Sequence, residues 1–174
     1  MEYKIINKIK VGHLDLLKKL KGKILHKIWL DEAGDFSLST TLEAANFHLT
    51  IKNIPSFQSD NEEYPQIILD TEVLNIEKDF KEIKINQKIK DIVVIENNVN
   101  WEYSNNHWSV VSDIGIKLIL ENEEFLFLMQ DSIAGFIKNI NSKDNIIITN
   151  NDIEEYWSFK TDKVKKLKIE EISL

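Results

Sequence analysis

Metal or acid–base chemistry would first be sought at the histidines, and the chain has four: His13, His26, His48 and His107. They stand far apart and lack the spacing of a metal-ligand set. A serine nucleophile needs a strained Gly-x-Ser-x-Gly elbow or a nearby histidine, and Ser37, Ser39 and Ser109 have neither signal. Three acidic clusters stand out: Asp31-Glu32 with Asp35, Asp60 with Glu62-Glu63, and Glu121 with Glu123-Glu124. None follows the 1, 3, 5, 12 spacing of a calcium loop, and as hairpin turns they need no metal. Five glycines form no phosphate-binding loop. The absence of cysteine excludes disulfides, thiolate metal sites and a thiol nucleophile. Two carboxylates distant in sequence could still converge for glycoside hydrolysis, a pairing that spacing cannot reveal. The residues point to a non-catalytic chain, with no cofactor and no metal expected.

The aromatic residues concentrate in one stretch, NVNWEYSNNHWSV at residues 98–110. Trp101, Tyr103 and Trp108 near a loop tip could stack on bases or sugars. They could equally be cross-strand pairs, each contributing a few tenths to ~1 kcal/mol to a hairpin. A loop at Ser104–His107 sets Tyr103 opposite Trp108 and Trp101 opposite Val110. Ile95, Val99, Trp101 and Tyr103 then share a face with Trp108, Val110, Ile114, Ile116, Leu118 and Leu120. Glu96, Asn98, Asn100, Glu102, Ser109, Asp113 and Lys117 take the other. A turn at Asn122-Glu123 brings Phe125, Phe127 and Met129 opposite Leu120, Leu118 and Ile116, a three-stranded meander.

An earlier meander follows the same pattern. Ile24, His26, Ile28 and Leu30 share one face, with His26 expected as a hydrogen-bonded core histidine. The loop Asp31–Asp35 places Gly34 where a positive φ suits it. Phe36, Leu38, Thr40 and Leu42 follow, then a turn at Glu43–Asn46, then Phe47, Leu49 and Ile51. Laid 78 residues apart, FSLSTTLEAANFHLTIKN and IGIKLILENEEFLFLMQD align without a gap, with Leu42/Leu120, Glu43/Glu121 and Phe47/Phe125 identical. QIIL at 66–69 matches NIII at 145–148 at a spacing of 79, and Lys8-Ile9-Lys10 recurs as Lys88-Ile89-Lys90. Two related halves of about 80 residues, 1–86 and 87–174, are expected to pack as one unit.

Leu14, Leu17 and Leu20, closed by Gly22, predict a helix near 13–21. Strands are predicted at 66–72, 82–90, 145–149 and 164–172, and short helices at 75–81 and 152–158. Segments 4–10 and 164–172 are expected to pair. The fold class is mainly β (α+β with few short helices): antiparallel meanders forming a sandwich or partly open barrel.

Charge narrows the partners. All 22 basic residues are lysine, and the net charge is −7. Without arginine forks and with negative charge, a nucleic-acid partner is not expected. Residues 1–27 carry a net +6, whereas residues 91–137 hold eight acids against Lys117 alone. No apolar run approaches the ~20 residues of a membrane span, and the N-terminus lacks a secretory core. A cytoplasmic protein without a membrane partner is expected. The expected function is a protein-binding module of the immunity type, in which an acidic scaffold plugs a basic toxin such as a nuclease. Its contact residues would be Glu96, Glu102, Asp113, Glu121, Glu123 and Glu124, with Trp101, Tyr103 and Trp108 as anchors. The other expected classes are a structural, self-assembling β protein and a carbohydrate- or nucleotide-binding protein or hydrolase using the aromatic hairpin at 99–110.

Overall fold

The longest ladder in the molecule grows from a two-residue turn. In the computed structural model, which describes residues 1–33, 36–71 and 80–174, Ser104 and Asn105 both have positive φ, at 47° and 64°. That is the type I′ geometry, whose twist matches the strands it joins. It connects β9 (Asp91–Tyr103) to β10 (Asn106–Ile119). The expected loop at Ser104–His107 is therefore two residues shorter, and the register moves. Tyr103 faces Asn106, Trp101 faces Trp108, and Val99 faces Val110. A slip of two preserves the alternation of faces.

The single apolar face expected along β10 does not hold. The ladder shifts between Asp113, opposite Glu96, and Gly115, opposite Ile95. A bulge adds one residue to one strand and so reverses the facing beyond it. Val110 and Ile114 consequently enter one core while Ile116, Leu118 and Leu120 enter another. β11 (Glu124–Met129) follows, with Leu118 opposite Phe125 and Ile116 opposite Phe127. This register also lies two residues from the expected one.

The N-terminal half repeats this behaviour. β1 (Glu2–Asn7), α1 (Val11–Lys18), β2 (Ile24–Ala33), β3 (Phe36–Ala44) and β4 (Phe47–Asn53) are followed by the short β5 (Ser56–Phe57) and β6 (Glu63–Tyr64). β7 (Ile67–Asp70) and β8 (Lys81–Lys88) complete it. The β2–β8 ladder shifts between Leu25 and Lys27, with the extra residue on β8, and along β2 Leu25, Ile28 and Leu30 are buried while Ile24 is exposed. His26 leaves the expected core face, and its Nδ1 lies 3.2 Å from Asn86 Oδ1. Phe36 and Leu38 are also exposed, whereas Ser37 and Ser39 are buried. The turn after β3 is Ala45-Asn46, with Ala45 at φ 53°.

After β11 come β12 (Ile137–Ser142), α2 (Asn150–Tyr156), a 3₁₀ turn at Trp157–Phe159, and β13 (Lys166–Ser173). Eleven strands form one sheet, and β5 pairs only with β6. Two runs within the sheet share one order. β8-β2-β3-β4-β7 and β13-β9-β10-β11-β12 are each a four-stranded meander followed in the chain by a fifth strand that pairs antiparallel with the first. The runs join where Ile137-Lys138 pairs with Ser37 and Phe36. The chain is thus mainly β and antiparallel, as expected; among the described residues the one parallel pair is β1 with β10.

Burial explains the layering. The larger core takes Leu25, Ile28, Leu42 and Leu49 from one run and Ile92, Ile116, Leu118 and Phe127 from the other, with Leu17 and Leu20 beside them. The second core lies on the opposite face of β9–β11, where Val99, Trp101, Val110 and Leu126 meet Ile146, Ile153 and Trp157. The C-terminal run is therefore covered on both faces.

Several expectations need correction. Residues 4–10 and 164–172 do not pair: β1 lies along β10, and β13 along β9. Residues 145–149 join no ladder, so QIIL and NIII occupy different structural settings. β12 carried no strand expectation. The helix near 13–21 begins earlier, at Val11, and its turns run on to Gly22, whose φ is 80°. The helix at 152–158 appears as α2 and the 3₁₀ turn. The loop tip at Gly34 and the helix at 75–81, except its last two residues, lie outside the described residues. Lys81 already begins β8. Among the described residues, no helix is long and apolar enough to cross a membrane.

Candidate partner-binding groove

The structure distributes the sequence-derived contact residues over three separate places. Glu96 and Asp113 face each other across the β9–β10 ladder and are buried. Lys8 Nζ lies 2.5 Å from Glu96, and Ile9 N–H donates to Asp113 Oδ2 at 2.7 Å. The hydrogen bond to Glu96 raises the Lys8 ammonium above its usual range. Burial raises the Asp113 carboxyl against the pull of Ile9 and Lys8. This pair holds the β1–α1 connection to the sheet.

At the hairpin tip Tyr103 is 74% exposed. Glu102 accepts from Lys165 Nζ and lies 2.9 Å from His107 Nδ1. Lys165 chiefly lowers its carboxyl below the usual range. Trp101 is buried and stacks on Trp108 at 5.9 Å and 10°. Tyr3 also stacks on Trp108, at 5.1 Å, and Trp108 Nε1 donates to Asp60 Oδ2 at 3.0 Å. The indoles of this hairpin are packed against neighbouring rings rather than presented as a platform.

Glu121, Glu123 and Glu124 lie at the far end of β10, roughly 45 Å along the strand at ~3.3 Å per residue. Glu123 accepts from Gln87 at 2.6 Å and Asn141 at 2.8 Å. Glu124 accepts from Ile146 N–H at 2.7 Å. Glu121 receives Lys90 Nζ on its carbonyl at 3.1 Å. These contacts tie β8, β12 and the segment before α2 to the β10–β11 turn.

A different arrangement gathers apolar surface and uncommitted charge. A groove of about 460 Å³ runs between the outer face of β11–β12 and the α2 layer. Leu126, Leu128 and Ile140 form its floor, and Ile146–Ile148, Tyr156 and Phe159 its wall. Asp131, Asp152, Glu155 and Lys138 stand at its rim. An adjoining depression of about 410 Å³ shares Asp131 and Phe159 and adds Phe57, Glu62, Glu63, Ile133 and Lys160. Ile133, Ile147 and Phe57 are exposed large apolar residues around these two hollows. Clustered exposed apolar side chains mark interaction sites rather than ordinary surface.

The elements explain the positions. Thr149 caps α2: its Oγ1 accepts from Asp152 N–H while the Asp152 carboxylate accepts from Thr149 N–H at 2.7 Å. The Thr149 hydroxyl, which donates to the same carboxylate at 2.6 Å, chiefly lowers the Asp152 carboxyl, and the Thr149 N–H adds to this. The turn after α2 buries Trp157, whose Nε1 donates to Asn97 at 3.3 Å, leaving Tyr156 and Phe159 to line the groove. Burial pushes the Tyr156 phenol well up. Lys160 pairs with Glu62 at 3.1 Å and lies 4.5 Å from the Tyr64 ring centroid. Among the described residues, the carboxylates of Glu63, Asp131 and Glu155 make no hydrogen bond or ion pair. Partial burial raises the Asp131 carboxyl, Lys160 opposing and Glu63 reinforcing.

Apolar floor, acidic rim and open mouth suit apolar side chains flanked by cations. Among the described residues no three His, Asp or Glu side chains converge to hold a metal ion. The groove residues come from β11, β12, the stretch after β12 and α2, so no spacing in the sequence announces them. The one available signal was the acidic content of 121–131 beside an apolar strand. No known family model, curated protein or solved structure matches this chain.

Proposed function

We propose that this chain is a non-catalytic protein-binding module that engages a basic partner, as an immunity-type protein engages a toxin such as a nuclease. The observation that carries this reading is the groove, where exposed apolar residues lie beside carboxylates that have no partner among the described residues. Excess negative charge of −7 steers a basic protein toward such a site. Contact is assigned to Asp131, Glu155 and Glu63 around the groove, with the exposed hairpin residues Glu102 and Tyr103 as a second region.

Capture from a lysate of the source organism tests this reading. One basic protein should be retained stoichiometrically at low salt and weakened at ~0.5 M salt, where screening acts within a few ångströms. Asp131→Lys with Glu155→Lys should release it. Retention by the doubly reversed variant would remove the groove from the interface. We likewise propose that the two sheet runs derive from one duplicated half. Their shared strand order supports this, and the β3–β4 and β10–β11 hairpins are the segments that align 78 residues apart.

A further inference from the structure

The wall of the groove includes an extended segment that pairs with no described strand. Residues 145–149 form no helix, turn or bend and belong to no ladder. Burial alternates along them as in a strand: Ile146 is buried, Ile147 is 71% exposed and Ile148 is half-buried. Three consecutive isoleucines have strong strand preference. Both ends are fixed. Ile146 N–H donates to Glu124, Ile146 C=O accepts from the buried Lys117 Nζ at 3.2 Å, and Thr149 N–H donates to Asp152.

The backbone groups of Asn145, Ile147 and Ile148 make no hydrogen bond to any described residue. In an extended chain the N–H and C=O of one residue point the same way, and those of the next point oppositely. Ile146 directs its pair into the protein, toward Glu124 and Lys117. Asn145 and Ile147 therefore direct theirs outward, along the rim of an apolar groove. A row of outward backbone groups beside side-chain pockets is the arrangement that receives an added strand.

We propose that this edge receives a strand of a basic polypeptide. It pairs with Ile147 through two backbone hydrogen bonds. One apolar side chain enters the groove between Leu128 and Tyr156, while flanking lysine or arginine side chains meet Asp131 and Glu155. The occupant follows from charge: the rim offers three carboxylates against Lys138. The inference rests on the binding reading above, and it adds the backbone mode and the residue that makes it.

The test uses the full chain, isotope-labelled, with a synthetic seven-residue peptide of alternating lysine and valine at low ionic strength. Amide exchange should slow at Ile147 by about tenfold or more and stay unchanged at Ile148, whose N–H points inward. The same peptide N-methylated on alternate residues should bind at least about tenfold more weakly, having lost its strand-pairing groups. Asp131→Lys/Glu155→Lys should weaken the unmodified peptide by at least about tenfold, since charge-assisted contacts are the strong ones. Binding without protection at Ile147, or equal binding of the N-methylated peptide, would overturn strand addition while leaving the binding reading intact. Absence of peptide binding at millimolar concentration would also overturn it, and the lysate capture judges the broader reading independently.

Discussion

Replacing Glu171 by alanine removes the carboxylate partner of a buried ammonium. Lys117 is 2% exposed, and its Nζ reaches Glu171 at 2.8 Å and the Ile146 carbonyl at 3.2 Å. Breaking a fully buried pair costs about 3–5 kcal/mol, whereas an exposed pair contributes about 0–1. Glu171 is 43% exposed, so water partly replaces it, and a cost of about 2 kcal/mol is expected. At ~2.1 cal/mol/K per residue, the 174-residue chain has an unfolding entropy of ~0.37 kcal/mol/K, so Tm falls by about 5 °C. Lys117→Met behaves differently. It removes the cation, keeps most of the aliphatic volume and lets Glu171 rehydrate. Its main cost is the orphaned Ile146 carbonyl, about 1–3 kcal/mol, offset by the relieved desolvation of the ammonium. The double variant should therefore be no less stable than Lys117→Met alone, a coupling of about 2 kcal/mol. Calorimetry on the four proteins measures it. Additive losses within ~0.5 kcal/mol would refute the claim that the carboxylate serves the buried ammonium.

Three further outcomes are expected. Thr149→Ala removes the α2 cap and should cost about 1 kcal/mol, seen as a Tm lower by about 3 °C; an unchanged Tm would show that the cap contributes nothing. Gly135→Ala should destabilise far more than Gly22→Ala in urea titrations, although both have φ near 75–80°. A Cβ at Gly135 would lie 2.0 Å from the Asn53 carbonyl, whereas Gly22 has open space; about 3 kcal/mol or more is expected against about 1. Asp113 supplies the pH dependence. Its carboxyl is raised by burial in the folded state, so the folded protein holds that proton more tightly than the unfolded chain. The resulting stability is fully present below the usual aspartate range and is lost as pH rises through the folded value. Asp113→Asn should accordingly be more stable than the parent at pH 7, and the gain should vanish toward pH 3. A gain that grows on acidification would reverse the assignment.

Alternation located the strands well, because a half-buried strand imposes a period of two whatever its partner. It located registers less well. A four-residue loop sets Tyr103 opposite Trp108; Ser104 and Asn105 instead adopt positive φ and close the hairpin in two. Bulges defeated the assignment of faces. One extra residue near Ile114 sends identical isoleucines, 114 and 116, into different cores. In the β2–β8 ladder the extra residue lies on β8, where Asn86 has a φ of 53°, and the His26 imidazole on the facing strand sits against it. The second covering layer was hidden for another reason. Glu96, Asp113 and Lys117 looked like a solvated face, yet the β1–α1 connection and the C-terminal segments bury them. Such packing depends on segments remote in the chain, which local polarity cannot register.

The carboxylates divide by where the backbone carries them. In a ladder, cross-strand neighbours lie ~5 Å away, as His107 does from Glu102, and the segments that flank the strands add Lys165 to Glu102 and Lys8 to Glu96. Glu123 and Glu124, at the end of a hairpin, close contacts to other segments. Asp131 follows the last residues of β11, and Glu155 projects from α2, so neither has a cross-strand partner. Charge free for a partner therefore collects at the margins of the sheet, where the apolar groove also opens. The groove is lined by 14 residues, fewer than the roughly 20–30 a side of a standard interface. Stable capture of a protein therefore has to extend over the adjoining depression, past Ile133 to Phe57 and Glu63. The edge at Ile147 would then set orientation and register, and this wider surface would supply most of the affinity.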